Sequence, residues 1–337
     1  MTKERMVYLG TAGGVFEARG NGGAWETRPL GLQGKGLVAL VADHKNHRRI
    51  FAGTGRGGVW RSDDGGQTWQ DITGDILYRT VFSLVQHPNT GELYVGTEPA
   101  SVFKSADGGE SWTDCEQLRT LPTTVDWTFP NPPHVAHVKE MGLCADDPSL
   151  IFCAVEEGWL VRSRDGGQTW ENIKDGVDFD SHAVSYMPDD PSIVIACTGQ
   201  GMFRSTDGGD HFADANNGLT RRYLAPIAVR PDAPRVLYAG ASEGVPPMWR
   251  KRPQGADAGF YRSEDQGASW EELRGGVDTV IKGAPRALTI DPADPDTIFV
   301  GTGQGDGAVW LTENGGESFR QILGDLPFVR SIVLANR

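Results

Sequence analysis

The chain has 337 residues, 45 glycines, ten tryptophans and a formal net charge of −13 at pH 7. This acidic balance argues against nucleic acid or an anionic membrane as a partner. The charged start, MTKERMVYLG, lacks the apolar core of a signal peptide, and no later run is long enough to span a bilayer. We therefore expect a soluble cytoplasmic protein, with its oligomeric state left open. The length suits two average domains or one large all-β domain, and the repeats favour a single domain over residues 1–337.

The two ends of the chain predict parts of one structural unit. Residues 6–18, MVYLGTAGGVFEA, predict a second and a third strand with no first strand before them. Residues 328–337, FVRSIVLANR, predict a first strand with nothing after it. Pairing of this last strand with the first unit would close a ring of units and remove two sheet edges.

Between the ends, one pattern of four strands recurs. Runs such as VFSLVQHP (81–88) predict a first strand that ends in a proline turn. β-branched and aromatic runs such as ELYVGT (92–97) predict a second strand, and short runs such as SVFKS (101–105) predict a third. Four-stranded antiparallel units repeated around an axis form a β-propeller.

A short motif joins the third and fourth strands of each unit. Its copies are SDDGGQTW (62–69), SADGGESW (105–112), SRDGGQTW (163–170), STDGGDHF (205–212), SEDQGASW (263–270) and TENGGESF (312–319), and a degenerate copy, ARGNGGAW, ends at Trp25. Ser and Asp side chains can accept hydrogen bonds from the backbone of a tight turn, and glycine allows its unusual angles. We interpret the motif as scaffold, and its seven copies predict a seven-bladed β-propeller.

The motif resembles the Asp-box, or bacterial neuraminidase repeat, of sialidase-like propellers, and the resemblance covers the whole chain. This superfamily includes sialidases, xyloglucanases, sortilin-type receptors and a photosystem assembly factor, so the resemblance implies a fold and leaves the function open. Sialidases resemble six-bladed propellers with an N-terminal Arg-Ile-Pro-like motif and three clustered arginines. This chain has seven repeats and offers only ETRPL (26–30) there. Xyloglucanases carry two seven-bladed propellers, and this chain has length for one.

Two insertions are predicted on one face. They occupy residues 113–137, before blade 4, and residues 242–260, inside blade 6. Because strands in a blade alternate in direction, both lie opposite the motif turns, on what we call the top face. Insertions confined to one face of a repeat protein often mark its binding face. Residues 126–137 predict a proline-stiffened lid that would place Trp127 or Phe129 over the channel mouth, as a ring platform or as packing residues.

Every blade offers a cationic or histidine side chain near the top of its innermost strand. These residues are Lys35, Arg79, His137 with Lys139, His182, Arg222 with Tyr223, Arg286 and Arg330. A channel lined by positive charge predicts a small anionic or carbohydrate-like ligand, since arginine suits bidentate binding of carboxylate or phosphate. Alternatively, these groups pair with acids of the top loops. The acids are Glu98, Glu156, Glu157, Glu243 and Asp180. Glu98 and Glu243 are also candidate substrate contacts.

Three histidines occupy neighbouring positions on the top face. His134 and His137 precede the first strand of blade 4, and His182 takes the matching place in blade 5. With Glu156 they are candidate ligands for one divalent transition metal. A metal-free alternative gives His137, His182, Glu156 and Tyr223 roles in acid–base catalysis, and a structural role is the third. The other four histidines map to bottom turns or the motif, where we expect them to be inert.

Three classes of function remain open from sequence alone. The first is an enzyme, a glycosidase-like hydrolase or a lyase, acting on a small anionic or sugar-like substrate. The second is a metal-dependent enzyme built on His134, His137 and His182. The third is a non-catalytic binding or assembly scaffold. Convergence of the polar groups into one closed pocket would favour an enzyme, and a flat top face with outward aromatic side chains would favour a scaffold.

Overall fold

A computed structural model describes residues 4–21, 23–304 and 306–335. Within them, 28 strands form seven four-stranded antiparallel sheets. The innermost strand of each sheet contacts the innermost strands of both neighbouring sheets, and this chain of contacts closes on itself. The predicted all-β seven-bladed propeller is therefore confirmed.

The strands are numbered β1 to β28 in chain order. Blade 1 contains β1 (Arg5–Thr11), β2 (Gly14–Asn21), β3 (Ala24–Gly31) and β28 (Val329–Leu334). Blade 2 contains β4 (Leu37–Ala42), β5 (Ile50–Thr54), β6 (Gly58–Ser62) and β7 (Gln70–Asp71). Blade 3 contains β8 (Thr80–Gln86), β9 (Leu93–Glu98), β10 (Ser101–Ser105) and β11 (Thr113–Asp114). Blade 4 contains β12 (His137–Leu143), β13 (Ile151–Glu156), β14 (Trp159–Ser163) and β15 (Glu171–Ile173).

The remaining three blades follow the same order. Blade 5 contains β16 (Ser181–Met187), β17 (Asp190–Thr198), β18 (Gly201–Ser205) and β19 (Ala213–Asp214). Blade 6 contains β20 (Tyr223–Val229), β21 (Leu237–Ser242), β22 (Gly259–Ser263) and β23 (Glu271–Leu273). Blade 7 contains β24 (Ala284–Ile290), β25 (Ile298–Gly303), β26 (Gly307–Thr312) and β27 (Arg320–Leu326).

The C-terminal strand completes the first blade. β28 pairs antiparallel with β1, in a register that joins Val7 to Leu334 and Leu9 to Ile332. Val329 is fully buried in the core between this blade and blade 7. The ring therefore closes by pairing of the two chain ends, as the sequence predicts.

The Asp-box turns are built from hydrogen bonds within the motif. In blade 4, Ser163 Oγ accepts the Gly167 amide at 2.8 Å, and Asp165 Oδ1 accepts the Thr169 amide at 2.8 Å. Gly166 and Gly167 have φ angles of 70° and 90°, which a Cβ atom would strain. The same serine or threonine contact recurs in the other five well-formed copies, at 2.8–3.0 Å. These side chains hold the turn, in agreement with the scaffold interpretation.

The aromatic residue that ends the motif joins neighbouring blades. The indole of Trp69 donates to the Leu30 carbonyl of blade 1 at 2.9 Å. The indole of Trp112 likewise donates to the Ile72 carbonyl of blade 2 at 2.8 Å. In these two copies the motif therefore fixes its own turn and also a hydrogen bond to the preceding blade.

Replacing Ser163 by alanine should destabilise the protein by about 1–2 kcal/mol, since it leaves the buried Gly167 amide without its acceptor. Chemical denaturation of both proteins measures this difference. Ser192→Ala is the matched control, because Ser192 also bonds an aspartate but is exposed. Equal effects of the two substitutions would contradict the role assigned to the motif serine.

Both insertions lie on the top face. The first contains two short 3-10 helices, Glu116–Thr120 and Pro122–Asp126, and the second contains one turn of α-helix, Pro246–Trp249. Within the described residues, no helix is long and apolar enough to cross a membrane.

Candidate functional site

A cavity of about 500 Å³ lies on the propeller axis, lined by residues from the innermost strands of all seven blades. The first insertion adds Phe129 and Asn131 to its wall, and the second adds Pro246. Its volume falls in the range of small-molecule sites. The sequence predicts that polar groups converge on one pocket, and the side chains that enter this cavity test that prediction.

A β-bulge near the top of each innermost strand selects those side chains. In each blade the pairing with the neighbouring strand skips one residue, or two in blade 6, and the skipped residue lines the cavity. The skipped residues are Val38, Phe82, Lys139, His182, Ala225 with Pro226, Arg286 and Arg330. A bulge re-aims a side chain out of the alternating pattern, so the fold itself directs one position per blade at the axis.

Two of these bulge residues are arginines without an acidic partner. Arg286 and Arg330 lie in adjacent blades, 7 and 1, and within the described residues neither forms an ion pair. Arg286 Nη2 donates to Gln304 Oε1 at 3.0 Å, while its buried Nη1 and the buried Nε of Arg330 have no hydrogen-bond partner in the described chain. Burial and the positive charge of Arg286 lower the pKa of Arg330. Two guanidinium groups without an acidic partner form a receptor for an anion.

Aromatic rings hold the two arginines in place. The Arg286 guanidinium lies 5.5 Å from the centre of the Tyr223 ring and 5.8 Å from that of Trp249. Trp249 is buried, and its indole donates to the Glu243 carbonyl at 2.9 Å. Arg330 lies 4.7 Å from the centre of the Phe328 ring. Cation–π contacts of this kind fix guanidinium groups without neutralising their charge.

Glu156 forms the centre of a buried ion-pair network on blade 4. Its Oε2 lies 2.8 Å from His137 Nε2 and accepts Lys139 Nζ at 2.5 Å. His137 is fully buried and stacks on Phe82, with ring centres 3.5 Å apart. Burial alone would raise the pKa of Glu156, but Lys139 and the two neighbouring histidines lower it well below its usual range. Glu156 is therefore a carboxylate at neutral pH and a poor proton donor.

His182 and Tyr223 form the next part of the wall. His182 Nδ1 donates to the Leu224 carbonyl at 2.5 Å, so Nε2 is the nitrogen that can exchange a proton. Nε2 lies 3.1 Å from Asp180 Oδ1 and 4.0 Å from Glu156 Oε1. The Tyr223 ring centre is 4.5 Å from that of His182. Burial is the main cause that raises the pKa of Tyr223, so its phenol keeps its proton at neutral pH.

The structure brings most of the predicted residues together. His182, Glu156, Tyr223, Lys139, Arg286, Arg330 and Phe129 all line the cavity. His137 lies directly behind Glu156 and contacts Phe129 edge-on, with ring centres 4.9 Å apart. Glu98 lies on the other side of His137, 3.5 Å from Nδ1. The lining residues among them come from blades 4 to 7, blade 1 and the first insertion, and they converge on one cavity.

Arg79 and Arg222 do not reach the cavity, contrary to the sequence prediction. Their side chains are 61% and 52% exposed, and each lies near an aspartate, Asp71 at 3.2 Å and Asp214 at 4.0 Å. The bulge in each blade comes three residues later, so Phe82 and Ala225 take the inward positions. Lys35 likewise lies over the Trp60 ring, 4.9 Å from its centre.

The lid is only partly directed at the site. Phe129 reaches the cavity, but Trp127 packs against the hydrophobic core between blades 3 and 4. His134 is exposed and its Nδ1 lies 2.9 Å from the Phe129 carbonyl, because the backbone turns there with a φ of 64°. Glu243 is exposed and contributes only its carbonyl. The structure thus separates His134, Trp127 and Glu243 from the candidate site.

The donor atoms suit a hydrogen-bonded network better than a metal. One oxygen or nitrogen each from Glu156, Asp180 and His182 lie within 4.8 Å of one another. His134 is not among them, so the predicted ligand set of His134, His137, His182 and Glu156 is not assembled. Glu156 Oε2 already accepts from Lys139, and the Lys139 ammonium would repel a divalent cation at this position.

Sequence reasoning missed Phe82, Gln304, Phe328 and Glu140 in the cavity wall. A usable signal was present. In six of the seven innermost strands a small residue or proline follows the inward bulge position and precedes an aliphatic one, as in Phe82-Ser83-Leu84. Alignment of the strands on this pattern would have placed the bulge without a structure.

The fold and its motif turns define the class of this protein as a seven-bladed propeller built from Asp-box repeats. Its sequence matches no protein-family model and no curated protein. Among solved structures it is similar to a GH74 enzyme from Niastella koreensis, with 17% identity, 94% of this chain covered and a TM-score of 0.66. It is also similar to the GH74 xyloglucanase from Xanthomonas campestris, with 18% identity, 99% of this chain covered and a TM-score of 0.67.

The similar structures include a protein that is not described as an enzyme. Ycf48 bound to a D1 peptide shares 17% identity over 85% of this chain and 80% of its own, with a TM-score of 0.54. This chain spans about half the length of the two GH74 enzymes, 46% and 53%. At these identities the similarity establishes a shared fold, which both enzymes and a protein bound to a peptide use.

Proposed function

We propose that the cavity binds a small substrate that carries a carboxylate group, such as a sugar acid, and that the protein is an enzyme that acts on it by proton transfer. The observation that carries the proposal is the pair of unpaired guanidinium groups, Arg286 and Arg330, beside His182 and Tyr223. The convergence of these polar side chains on one cavity favours a small-molecule enzyme over a scaffold, whose top face would be flat.

The reaction type supported best is a β-elimination. The arginines neutralise the substrate carboxylate and so acidify the hydrogen on the adjacent carbon. His182 Nε2 takes that proton once the substrate replaces its hydrogen bond to Asp180, and the Asp180 carboxylate, 3.1 Å away in the free protein, stabilises by its charge the imidazolium that forms. A carbon–carbon double bond forms as the carbon–oxygen bond one position further breaks, and the leaving oxygen receives the Tyr223 proton. The products are an unsaturated acid and an alcohol.

A glycosidase mechanism has weaker support from the same geometry. It needs one carboxylic acid that donates a proton to the leaving oxygen and a second carboxylate roughly 5–9 Å away. Glu156 cannot supply that proton at neutral pH, because its charged neighbours hold its pKa well below the usual range. The Glu140 carboxyl also lines the cavity, and burial raises its pKa to about 8, so it could donate this proton. The weak point is the second carboxylate, because Glu156 and Asp180 are both hydrogen-bonded to histidines.

Binding of the carboxylate should depend on both cavity arginines. We expect wild-type protein to bind D-glucuronate at least tenfold more tightly than methyl glucoside, which has no charge. Arg286→Met and Arg330→Met should each weaken glucuronate binding at least tenfold, since each removes a desolvated charge-assisted contact. Isothermal titration calorimetry measures both effects.

The matched controls are Arg79→Met and Arg222→Met, which remove exposed arginines of the same face. Both should bind glucuronate as the wild type does. Equal losses in all four variants, or equal affinity for charged and neutral sugars, would overturn the proposed function. For the reaction, oligouronides are the test substrates, and the ultraviolet absorbance of the unsaturated acid should rise with wild type but not with Tyr223→Phe.

A further inference from the structure

Glu140 breaks the pattern of the cavity wall. It follows the inward bulge residue of blade 4, and the other six blades carry a small residue or proline at the corresponding position. Those residues are Ala39, Ser83, Ala183, Pro226, Ala287 and Ser331. Blade 4 alone therefore carries a long side chain at this position, and that side chain lines the cavity.

The Glu140 carboxyl group has no assigned partner in the folded chain. Among the described residues it forms no hydrogen bond and no ion pair, although Lys139 precedes it. Burial raises the pKa of Glu140 to about 8, and Lys139 offsets only part of that effect. A carboxyl group kept largely protonated at neutral pH can donate one hydrogen bond and accept others, which suits a neutral polar ligand group.

The ring places Glu140 opposite the anion receptor. Blade 4 faces the junction between blades 7 and 1 in a closed ring of seven, and these two blades supply Arg286 and Arg330. The cavity thus has a cationic wall and, across the axis, an uncharged acid beside the mutually paired Lys139 and Glu156. A ligand that reaches both walls must carry its charge at one end and neutral polar groups at the other.

We propose that Glu140 is a specificity-determining residue that binds a hydroxyl group at the end of the ligand remote from the carboxylate. This inference rests on the proposed function, because Arg286 and Arg330 must hold the carboxylate for Glu140 to meet the other end. Glu140 thereby selects hydroxylated acids long enough to cross the cavity over short carboxylates that occupy the arginines alone.

Two probes of different length test the proposal. Acetate reports on the arginines alone, and D-glucuronate carries hydroxyl groups far from its carboxylate. Glu140→Ala should weaken glucuronate binding at least tenfold and change acetate binding less than twofold, in calorimetric and NMR titrations. Glu140→Gln should keep glucuronate binding within threefold of wild type, since the amide still donates and accepts hydrogen bonds.

The outcomes separate this proposal from the proposed function. Unchanged glucuronate binding by Glu140→Ala would overturn the role of Glu140, and a loss in Arg286→Met would still support the arginine receptor. Equal losses of acetate and glucuronate binding in Glu140→Ala would also overturn it, as a general disturbance of the cavity. If wild-type protein bound neither probe, both proposals would fall. Circular dichroism of each variant confirms that the comparison is made on folded protein.

Discussion

Removal of residues 328–337 should leave no stably folded monomer. These residues include all of β28, the innermost strand of blade 1, and its loss would leave β1 with an unpaired edge facing the axis. Val329, Ile332 and Leu334 are buried, and burial of an aliphatic side chain contributes about 1.5–3 kcal/mol. Together with the lost strand pairing, the cost matches the whole stability of a typical domain, about 5–15 kcal/mol.

Circular dichroism melts and size-exclusion chromatography measure the effect of this truncation. Arg330→Met is the matched control, because it changes the same strand at a bulge position and leaves the pairing with β1 intact. A synthetic peptide of residues 326–337, added to the truncated chain, should restore cooperative unfolding by rebuilding the blade. A truncated chain that melts cooperatively within a few degrees of the full-length protein would refute closure by β28.

The fold could be predicted almost completely because its signal is repeated. Each Asp-box ends at an aromatic residue that packs on the preceding blade, as Trp112 does on Ile72, so every copy carries the same physical requirement. The closing strand was predictable because the two chain ends complement each other. A single short strand is difficult to assign from its sequence, but a pattern that recurs in every blade removes most of that ambiguity.

The candidate site was predictable only in part, because its residues are selected by a backbone irregularity. Arg286 and Arg330 coincide with the bulge and reach the cavity, whereas Arg79 lies three residues before it and does not. Position near a strand start was too coarse a criterion, since a shift of one residue in a strand reverses the direction of a side chain. His134 lies outside the cavity for a related reason, because a single positive φ angle turns it outward.

Glu156 should stabilise the fold in addition to lining the cavity. Its lowered pKa means that the folded protein prefers the carboxylate, so its contribution to stability is fully present above its ordinary pKa of 4.5. That contribution is lost as the pH falls through the lowered value in the folded state. The free energy of unfolding of wild-type protein should therefore fall in acid more steeply than that of a variant without this group.

Glu156→Ala should cost about 3–5 kcal/mol at neutral pH, because it leaves the half-buried Lys139 and the buried His137 beside an empty position. Denaturant titrations of Glu156→Ala, Lys139→Met and the double variant form a cycle whose coupling energy should reach about 1–3 kcal/mol. Glu264→Ala is the control, since its ion pair with Arg262 involves a 70% exposed glutamate and should contribute less than about 1 kcal/mol. If Glu156→Ala cost no more than this control, the ion pairs of Glu156 would contribute no more to the stability of the fold than an exposed pair does.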